Sequence, residues 1–348
     1  MMTNPIPHPF TERLIAWQKT AGRHHLPWQV NDAYRVWLSE VMLQQTQVVT
    51  VLDYYPRFLA AFPTVADLAA APQDDVLALW AGLGYYSRAR NLHFAAKQVV
   101  ETFQGRFPNT RSELESLKGV GRSTAAAIAA FAFQKREAIL DGNVKRVLCR
   151  VFELAGMPGD KAFETSLWAL AERLLPASAD MVTYTQGLMD LGATVCKRSK
   201  PLCGACPMNT VCLAHQNATT EQLPLKKPKK EVPIKPLYWL IVSHPQAQLL
   251  LEKRPDQGIW GGLYCVPTFD SLASLESHMI ALGLDFADFT EQTPLTHRLT
   301  HFQLIITPFA FHSPKVLPES PPNLWATAET LGNIGMPKPL LNYLKQYR

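Results

Sequence analysis

Apolar positions recur at helical spacing through the first two-thirds of the chain. Between Tyr34 and Thr46, Val36, Trp37, Val41 and Leu43 follow a three-and-four rhythm with Glu40 set among them, which predicts an amphipathic helix. The run from Val65 to Gly84 predicts two short helices, broken around Pro72 and ended by Gly82 and Gly84. Arg122–Phe133 is rich in alanine and has the highest helix propensity of the chain. Phe163–Pro176 is amphipathic and stops at its proline. Strand signals are nearly absent before about residue 215.

The pattern changes at Leu223–Pro236, where four prolines and five lysines in fourteen residues rule out a regular element and mark a linker. Beyond it, Leu237–Arg254 predicts two strands around a turn at Pro245, Thr300–His312 a further strand pair, and Leu272–Gly283 a helix. The fold class expected is a mostly α N-terminal domain (1–222) and an α+β C-terminal domain (236–348), joined by a linker at 223–235. No internal repeat is visible.

The 348 residues suit two domains with a core each, and 47% apolar residues is ordinary for a globular chain. No apolar run approaches the roughly 18 residues of a membrane helix. The first residues lack a basic start followed by an apolar core, so no secretory signal is read there, and the cytoplasm is the expected location. The net charge of +5, concentrated in the first two-thirds and the linker, permits a nucleic-acid partner without requiring one.

Structural disulfides are rare in the cytosol. Cys196, Cys203, Cys206 and Cys212, at spacing C-x6-C-x2-C-x5-C, therefore read as metal ligands. Zinc usually takes two C-x2-C pairs, whereas a single compact loop with one such pair suits a [4Fe–4S] cubane; both remain open on spacing. Lys197, Arg198 and Lys200 in the first gap are either solvated charge or a basic loop aimed at phosphate. Cys149 and Cys265 read as buried thiols.

Gly119-Val120-Gly121 makes a tight turn ahead of the Ala-rich helix, whose N-terminus offers N–H groups to a phosphate or simply turns a helical corner. About 20 residues on, Asp141 precedes Gly142 and reads as an N-cap whose bonds to backbone N–H groups hold it ionised. It is either a cap alone or a fixed carboxylate beside a phosphate-binding hairpin. Glu40 is either a solvent-facing glutamate or, given apolar neighbours Val36, Trp37, Val41 and Leu43, a buried acid of raised pKa.

Hairpin, glycine turn and aspartate together resemble the helix-hairpin-helix DNA glycosylases, with the hairpin at about 114–133, and the cysteine loop 196–212 is similar to the [4Fe–4S] loop of the endonuclease III branch. The joint resemblance implies one [4Fe–4S] cluster that shapes a DNA-contacting loop. Bifunctional members carry a lysine where this chain has Ser123, which cannot form a Schiff base. The likeness narrows to the MutY-type adenine DNA glycosylases through Leu26–Gln29, Val36–Val48, Gly82–Leu92 and Asp141–Val147, and covers nearly the whole chain.

The resemblance implies a monofunctional enzyme that hydrolyses the N-glycosidic bond of adenine opposite 8-oxoguanine or guanine in duplex DNA. Catalytic roles fall on Glu40 as general acid, Asp141 as the charge that stabilises the sugar cation, and Asn143 as its orienting neighbour. DNA contacts fall on Gln44, Tyr85, Gly119, Gly121, Ser123 and Lys145, with Gln45 a further candidate. Arg23, Leu26 and Trp28 match positions near the adenine pocket. One site needs only a monomer and no membrane. Leu237–Pro267 resembles the Nudix-like domain of this family, yet the helix that would hold Mg²⁺ has only Glu276, which argues against phosphohydrolase activity. The 8-oxoguanine-reading loop, usually Phe-Ser-His, here reads Leu299-Thr300-His301: threonine keeps the hydroxyl and leucine loses the aromatic face.

Overall fold

A computed structural model describes residues 8–227, 231–244, 248–314 and 323–346. The expected turn at Pro245 and part of the linker lie outside them. Contacts divide the chain into two compact units, residues 1–69 with 94–229, and residues 70–93 with 230–348. The second unit thus takes in a segment that the sequence reading assigned to the helical domain.

The helices are α1 (Pro9–Ala21), α2 (Ala33–Leu43), α3 (Val48–Ala61), α4 (Val65–Ala70), α5 (Gln73–Trp80), α6 (Ser87–Phe103), α7 (Arg111–Ser116), α8 (Arg122–Phe133), α9 (Gly142–Val151), α10 (Lys161–Arg173), α11 (Met181–Asp190) and α12 (Leu213–Gln216). The chain passes through α5 and the start of α6 in the second unit; the rest build the first. Pro72 separates α4 from α5 as the sequence predicts. Ala125–Ala130 of α8 are buried all round, so alanine here serves close approach as well as propensity. Phe10 and Leu14 of α1, Val144, Val147 and Leu148 of α9, and Tyr184 and Leu188 of α11 share one core with α8.

Two features of this core set the site. Gly119, in the turn between α7 and α8, has φ +80°, a backbone that a side chain would strain. After α11, residues Leu191–Val195 form a π-helical turn, a rarity that brings Gly192 against α9.

The second unit holds β1 (Ile234–His244), β2 (Gln248–Lys253), β3 (Tyr264–Cys265), β4 (Thr268–Phe269), β5 (Thr290–Glu291), β6 (Leu295–Arg298), β7 (Gln303–His312) and β8 (Asn323–Ala326), with α13 (Leu272–Ala281), α14 (Ala328–Asn333) and α15 (Lys338–Gln346). The sheet order is β3-β2-β1-β7-β5, with β4 on β1, β6 on β7 and β8 on β2. Ile234–Ser243 runs parallel to Gln303–His312 across ten registered pairs; the other pairs are antiparallel.

Thr300–His312 is thus not the expected strand pair. It contributes one long strand, because Pro308 does not end it: Pro308 lies opposite Trp239, and its carbonyl accepts from Gln292 N at 2.8 Å. Ile234 and Lys235, expected in the linker, already belong to β1. Cys149 and Cys265 are buried, as expected. Among the described residues no helix is long and apolar enough to cross a membrane.

Candidate active site

A cleft of about 1380 Å³ opens in the first unit. Glu40, Gln44, Gln45, Ser123, Asp141 and Asn143 line it, joined by Arg23, Leu26 and Trp28, so nine of the residues selected from the sequence converge there. Gly119, Gly121 and Lys145 do not line it. Lys145 is instead ion-paired with Glu164, both half-buried. Tyr85 and Leu299–His301 belong to the second unit.

Glu40 stands on α2, which Asp32 caps by accepting from Arg35 N at 2.8 Å. Tyr34, Val36, Trp37, Leu38, Ser39, Val41 and Met42 of this helix are all buried, which fixes its rotation and turns Glu40 onto the cleft floor. Burial first, and the charge of Asp141 second, push the Glu40 carboxyl from its ordinary value up to about 8.

Asp141 caps α9: its Oδ1 accepts from Asn143 N at 2.9 Å and Val144 N at 2.7 Å. The carboxylate therefore sits at the positive end of the helix. Ser123, at the start of α8, accepts from Leu140 N at 3.0 Å and so ties the segment entering Asp141 to the hairpin helix. Asn143 accepts through Oδ1 from Arg146 Nη2 at 2.8 Å. Gly192 backs Asn143 so closely that a Cβ there would lie 2.7 Å from the Asn143 Cβ.

Arg23, Leu26 and Trp28 occupy a wall braced from below. Arg23 pairs with Asp190, with Nη2 at 2.6 Å and Nε at 2.7 Å from Oδ1, while its backbone N donates to Oδ2 at 2.8 Å. Asp190 is fully buried and also accepts from Gln186 Nε2 at 2.9 Å. Gln29 spans the loop, donating to Arg23 O at 2.6 Å and accepting from Leu26 N at 2.9 Å. Trp28 packs edge-on to Tyr55. The linker lysines Lys226 and Lys227 also line the cleft.

Four residues escaped the sequence reading: Arg146, Arg150, Asp190 and Gly192. The two arginines stand four apart on α9, which also carries Asn143 and Lys145, so locally they read as a solvated polar face. Arg146 donates to Asn143 Oδ1, to Gly192 O at 2.8 Å and to Cys196 O at 2.8 Å. Arg150, only 2% exposed, donates to Lys197 O at 2.7 Å, Leu223 O at 3.0 Å and Arg198 O at 3.2 Å, and reaches Cys196 Sγ at 3.4 Å.

Cys196, Cys203, Cys206 and Cys212 line one small cavity beside α9, which Arg150 also lines. Burial pushes the Cys206 thiol up to about 11, and the other three cysteines add to the rise. Among the described residues, no three His, Cys, Asp or Glu side chains are grouped to hold a single metal ion.

In the second unit, Leu299 N donates to Phe302 O at 2.9 Å, closing the turn between β6 and β7 with Thr300 and His301 exposed at its tip. Phe302, next to the tip, lies under Lys235 Nζ at 4.9 Å. His297 is half-buried and packs on Trp260. The Nudix-like helix α13 carries the single carboxylate Glu276.

A hairpin-supported helix, a capping aspartate and a half-buried glutamate on one cleft are the arrangement expected of a helix-hairpin-helix base excision glycosylase. The profile described as HhH-GPD superfamily base excision DNA repair protein matches residues 38–173, and a NUDIX domain profile matches residues 238–346. An adenine DNA glycosylase of Buchnera aphidicola subsp. Acyrthosiphon pisum (strain APS) is 34% identical over 343 residues, covering 97% of each chain. The human adenine DNA glycosylase is 35% identical over 86% of this chain and 64% of its own length. A solved thermostable thymine-DNA glycosylase is 29% identical with a TM-score of 0.54, over 60% of this chain and 95% of that one. An endonuclease III–DNA complex, 22% identical with a TM-score of 0.51 over 61% of this chain and 99% of that one, shares the fold.

The chain belongs to the adenine DNA glycosylase family. It is a hydrolase of base excision repair.

Two measurements test the site's construction. Gly192→Ala should displace Asn143 and lower the single-turnover rate about tenfold or more, with DNA binding within a few-fold of the parent. An unchanged rate would mean that α9 yields freely. The raised Glu40 pKa means that the folded state binds a proton more tightly than the unfolded state. Its contribution to stability is full at acid pH and declines as pH rises from about 4.5 towards about 8. Denaturant titrations should show this slope, of at most about 1.4 kcal/mol per pH unit, in the parent and not in Glu40→Gln.

Proposed function

We propose that the chain hydrolyses the N-glycosidic bond of adenine opposite 8-oxoguanine or guanine in duplex DNA, without cutting the strand. The observation that carries this reading is the pair of carboxyl groups in one cleft, Glu40 held protonated near neutral pH by burial and Asp141 fixed as a helix cap. An acid and an anion in one pocket are what departure of a purine from a sugar requires.

The adenine leaves the duplex and enters the cleft beside Arg23, Leu26 and Trp28. Glu40 gives its proton to N7 of the base. The C1′–N9 bond then breaks, and its electron pair leaves with the adenine. Positive charge develops on the sugar ring and is balanced by Asp141, which its two N–H bonds keep from moving. Water adds to C1′ and loses a proton to the Glu40 carboxylate, which restores the acid. Gln44 at the rim and Tyr85 in the second unit are the candidates to fill the vacated stack, and Leu299-Thr300-His301 to read the opposite base.

Absence of strand cleavage rests on Ser123, whose hydroxyl has no amine to offer C1′ and is engaged with Leu140 N. The rim amines Lys226 and Lys227 are assigned to phosphate contact.

Cys196, Cys203, Cys206 and Cys212 are assigned to one [4Fe–4S] cluster. An all-thiol donor set fits it, and so do the Arg150 group near Cys196 Sγ and the Met208 N–H on Cys206 Sγ at 3.4 Å. When bound, the cluster would crosslink the loop 196–212 and thereby brace α9 through Arg146 and Arg150.

The deciding assay uses a duplex with adenine opposite 8-oxoguanine under single-turnover conditions. The adenine strand should break only after alkali treatment; breakage without alkali would turn attention to Lys226 and Lys227. Glu40→Gln should lose roughly 10²-fold or more and Asp141→Asn about 10²–10³-fold, with binding intact. The parent rate should fall as pH rises through about 8. Near-normal rates in either variant would remove that residue from the chemistry. Separately, anaerobically purified protein should absorb visible light near 400 nm with about four irons per chain. Cys203→Ser should lose the band, and stoichiometric zinc with no band would replace the cluster assignment.

A further inference from the structure

Residues 70–93 lie within the sequence matched by the glycosylase profile, yet they pack with the C-terminal sheet. This segment carries Tyr85, 47% exposed and held at φ +50°, a left-handed conformation costly to a tyrosine. Something must hold it there. Gly82 (φ +101°) and Gly84 (φ +73°) make the turn, and Trp80 Nε1 donates to Gly84 O at 3.2 Å. The buried Arg88 donates to Gly84 O at 3.2 Å and Leu83 O at 3.4 Å, and its guanidinium lies 5.5 Å from the Tyr85 ring centre.

The turn is fastened to the sheet on each side. Before it, Asp74 of α5 takes Lys253 Nζ of β2 at 2.6 and 2.8 Å, and Tyr264 OH of β3 at 3.4 Å. After it, Tyr86 OH donates to Met336 O at 3.1 Å, while Arg90 of α6 donates to Gly261 O at 2.6 Å. The packing beneath is close: a Cβ on Gly335 would lie 3.0 Å from Leu77 O. The same sheet carries the β6–β7 hairpin with Leu299–His301 at its tip.

We propose that Asp74, Tyr86 and Arg90 are positioning residues that fasten the Tyr85 turn to the C-terminal sheet, so that stack filling by Tyr85 and reading of the opposite base by Leu299–His301 are coupled. The proposal rests on the reading of Tyr85 and of that hairpin given above. Seating of the hairpin on 8-oxoguanine delivers Tyr85 through the Asp74–Lys253 pair and the Tyr86–Met336 bond. Loss of these ties leaves each element present and their action independent. The cost should therefore fall on discrimination between opposite bases, which a merely structural role would not move.

The test compares the full-length parent with Lys253→Met, Tyr86→Phe, both together, and the reversed pair Asp74→Lys with Lys253→Asp. Single-turnover rates are measured on adenine opposite 8-oxoguanine and opposite guanine. A fluorescent purine beside the 8-oxoguanine reports unstacking, and thermal unfolding is followed in parallel. The double variant should lose at least tenfold on the 8-oxoguanine duplex and less than threefold on the guanine duplex, with a smaller fluorescence rise. The reversed pair should recover at least half of the Lys253→Met loss.

Equal losses on the two duplexes, or rates within twofold of the parent, would overturn the coupling. Tyr85→Ala separates the underlying reading. If it leaves the fluorescence rise intact, Tyr85 fills no stack and the proposal falls with that assignment. If it abolishes the rise while the double variant keeps it, the coupling alone falls. Tyr86→Phe removes a single hydroxyl, so it keeps the test decisive if a charge variant misfolds.

Discussion

The N-terminus of α9 governs the geometry of the cleft. Asp141 Oδ1 satisfies two N–H groups that the first turn of a helix leaves without partners, so its position is set by backbone. Ten residues of helix follow, and the two arginines on it reach the carbonyls of Gly192, Cys196, Lys197, Arg198 and Leu223. The helix that aims the carboxylate is thus also the one that the cysteine loop folds against. Backbone carbonyls accept most of the hydrogen bonds of these cations. A buried guanidinium whose donors are occupied is expensive to disturb, so these bonds tie the cysteine loop to α9.

Glu40 depends on that placement in turn. Its helix presents an apolar surface nearly all round, so the carboxyl meets the cleft over buried side chains and loses much of its hydration. Desolvation comes first in raising its pKa and Asp141 second. Asp141, by contrast, is held in place by two backbone N–H groups of the helix it caps.

Much of this was legible in the residues. Glu40 stood out because it interrupts an apolar surface, Asp141 because Asp-Gly ahead of a helical stretch is cap chemistry, and Pro72 because it divides two helices. Arg146 and Arg150 were missed because charged residues on a helix ordinarily mean a solvated face, and nothing local reports a distant ring of carbonyls awaiting donors. Gly192 was missed because its role is a close approach created by a π-helical turn, a geometry with no sequence period of its own. The division of the chain was hidden for a related reason. Residues 70–93 have helical periodicity that fits either unit, and only the contacts of Asp74, Tyr86 and Arg90 choose. The long strand β7 was obscured by Pro308, which reads as a break unless its neighbour spares it the missing N–H.

Position 123 joins chemistry to folding. Ser123 accepts the Leu140 N–H through Oγ, and Leu140 is buried one residue before Asp141, the cap of α9. An unpaired buried N–H costs about 1–3 kcal/mol. A lysine ammonium has three donors and no acceptor, so it cannot take this bond. Exchange of serine for lysine would therefore bring in a nucleophile and, at the same stroke, release the segment that delivers Asp141. A second change that supplies Leu140 with another acceptor would offset that loss. The hydroxyl at 123 thus holds the backbone that leads into Asp141.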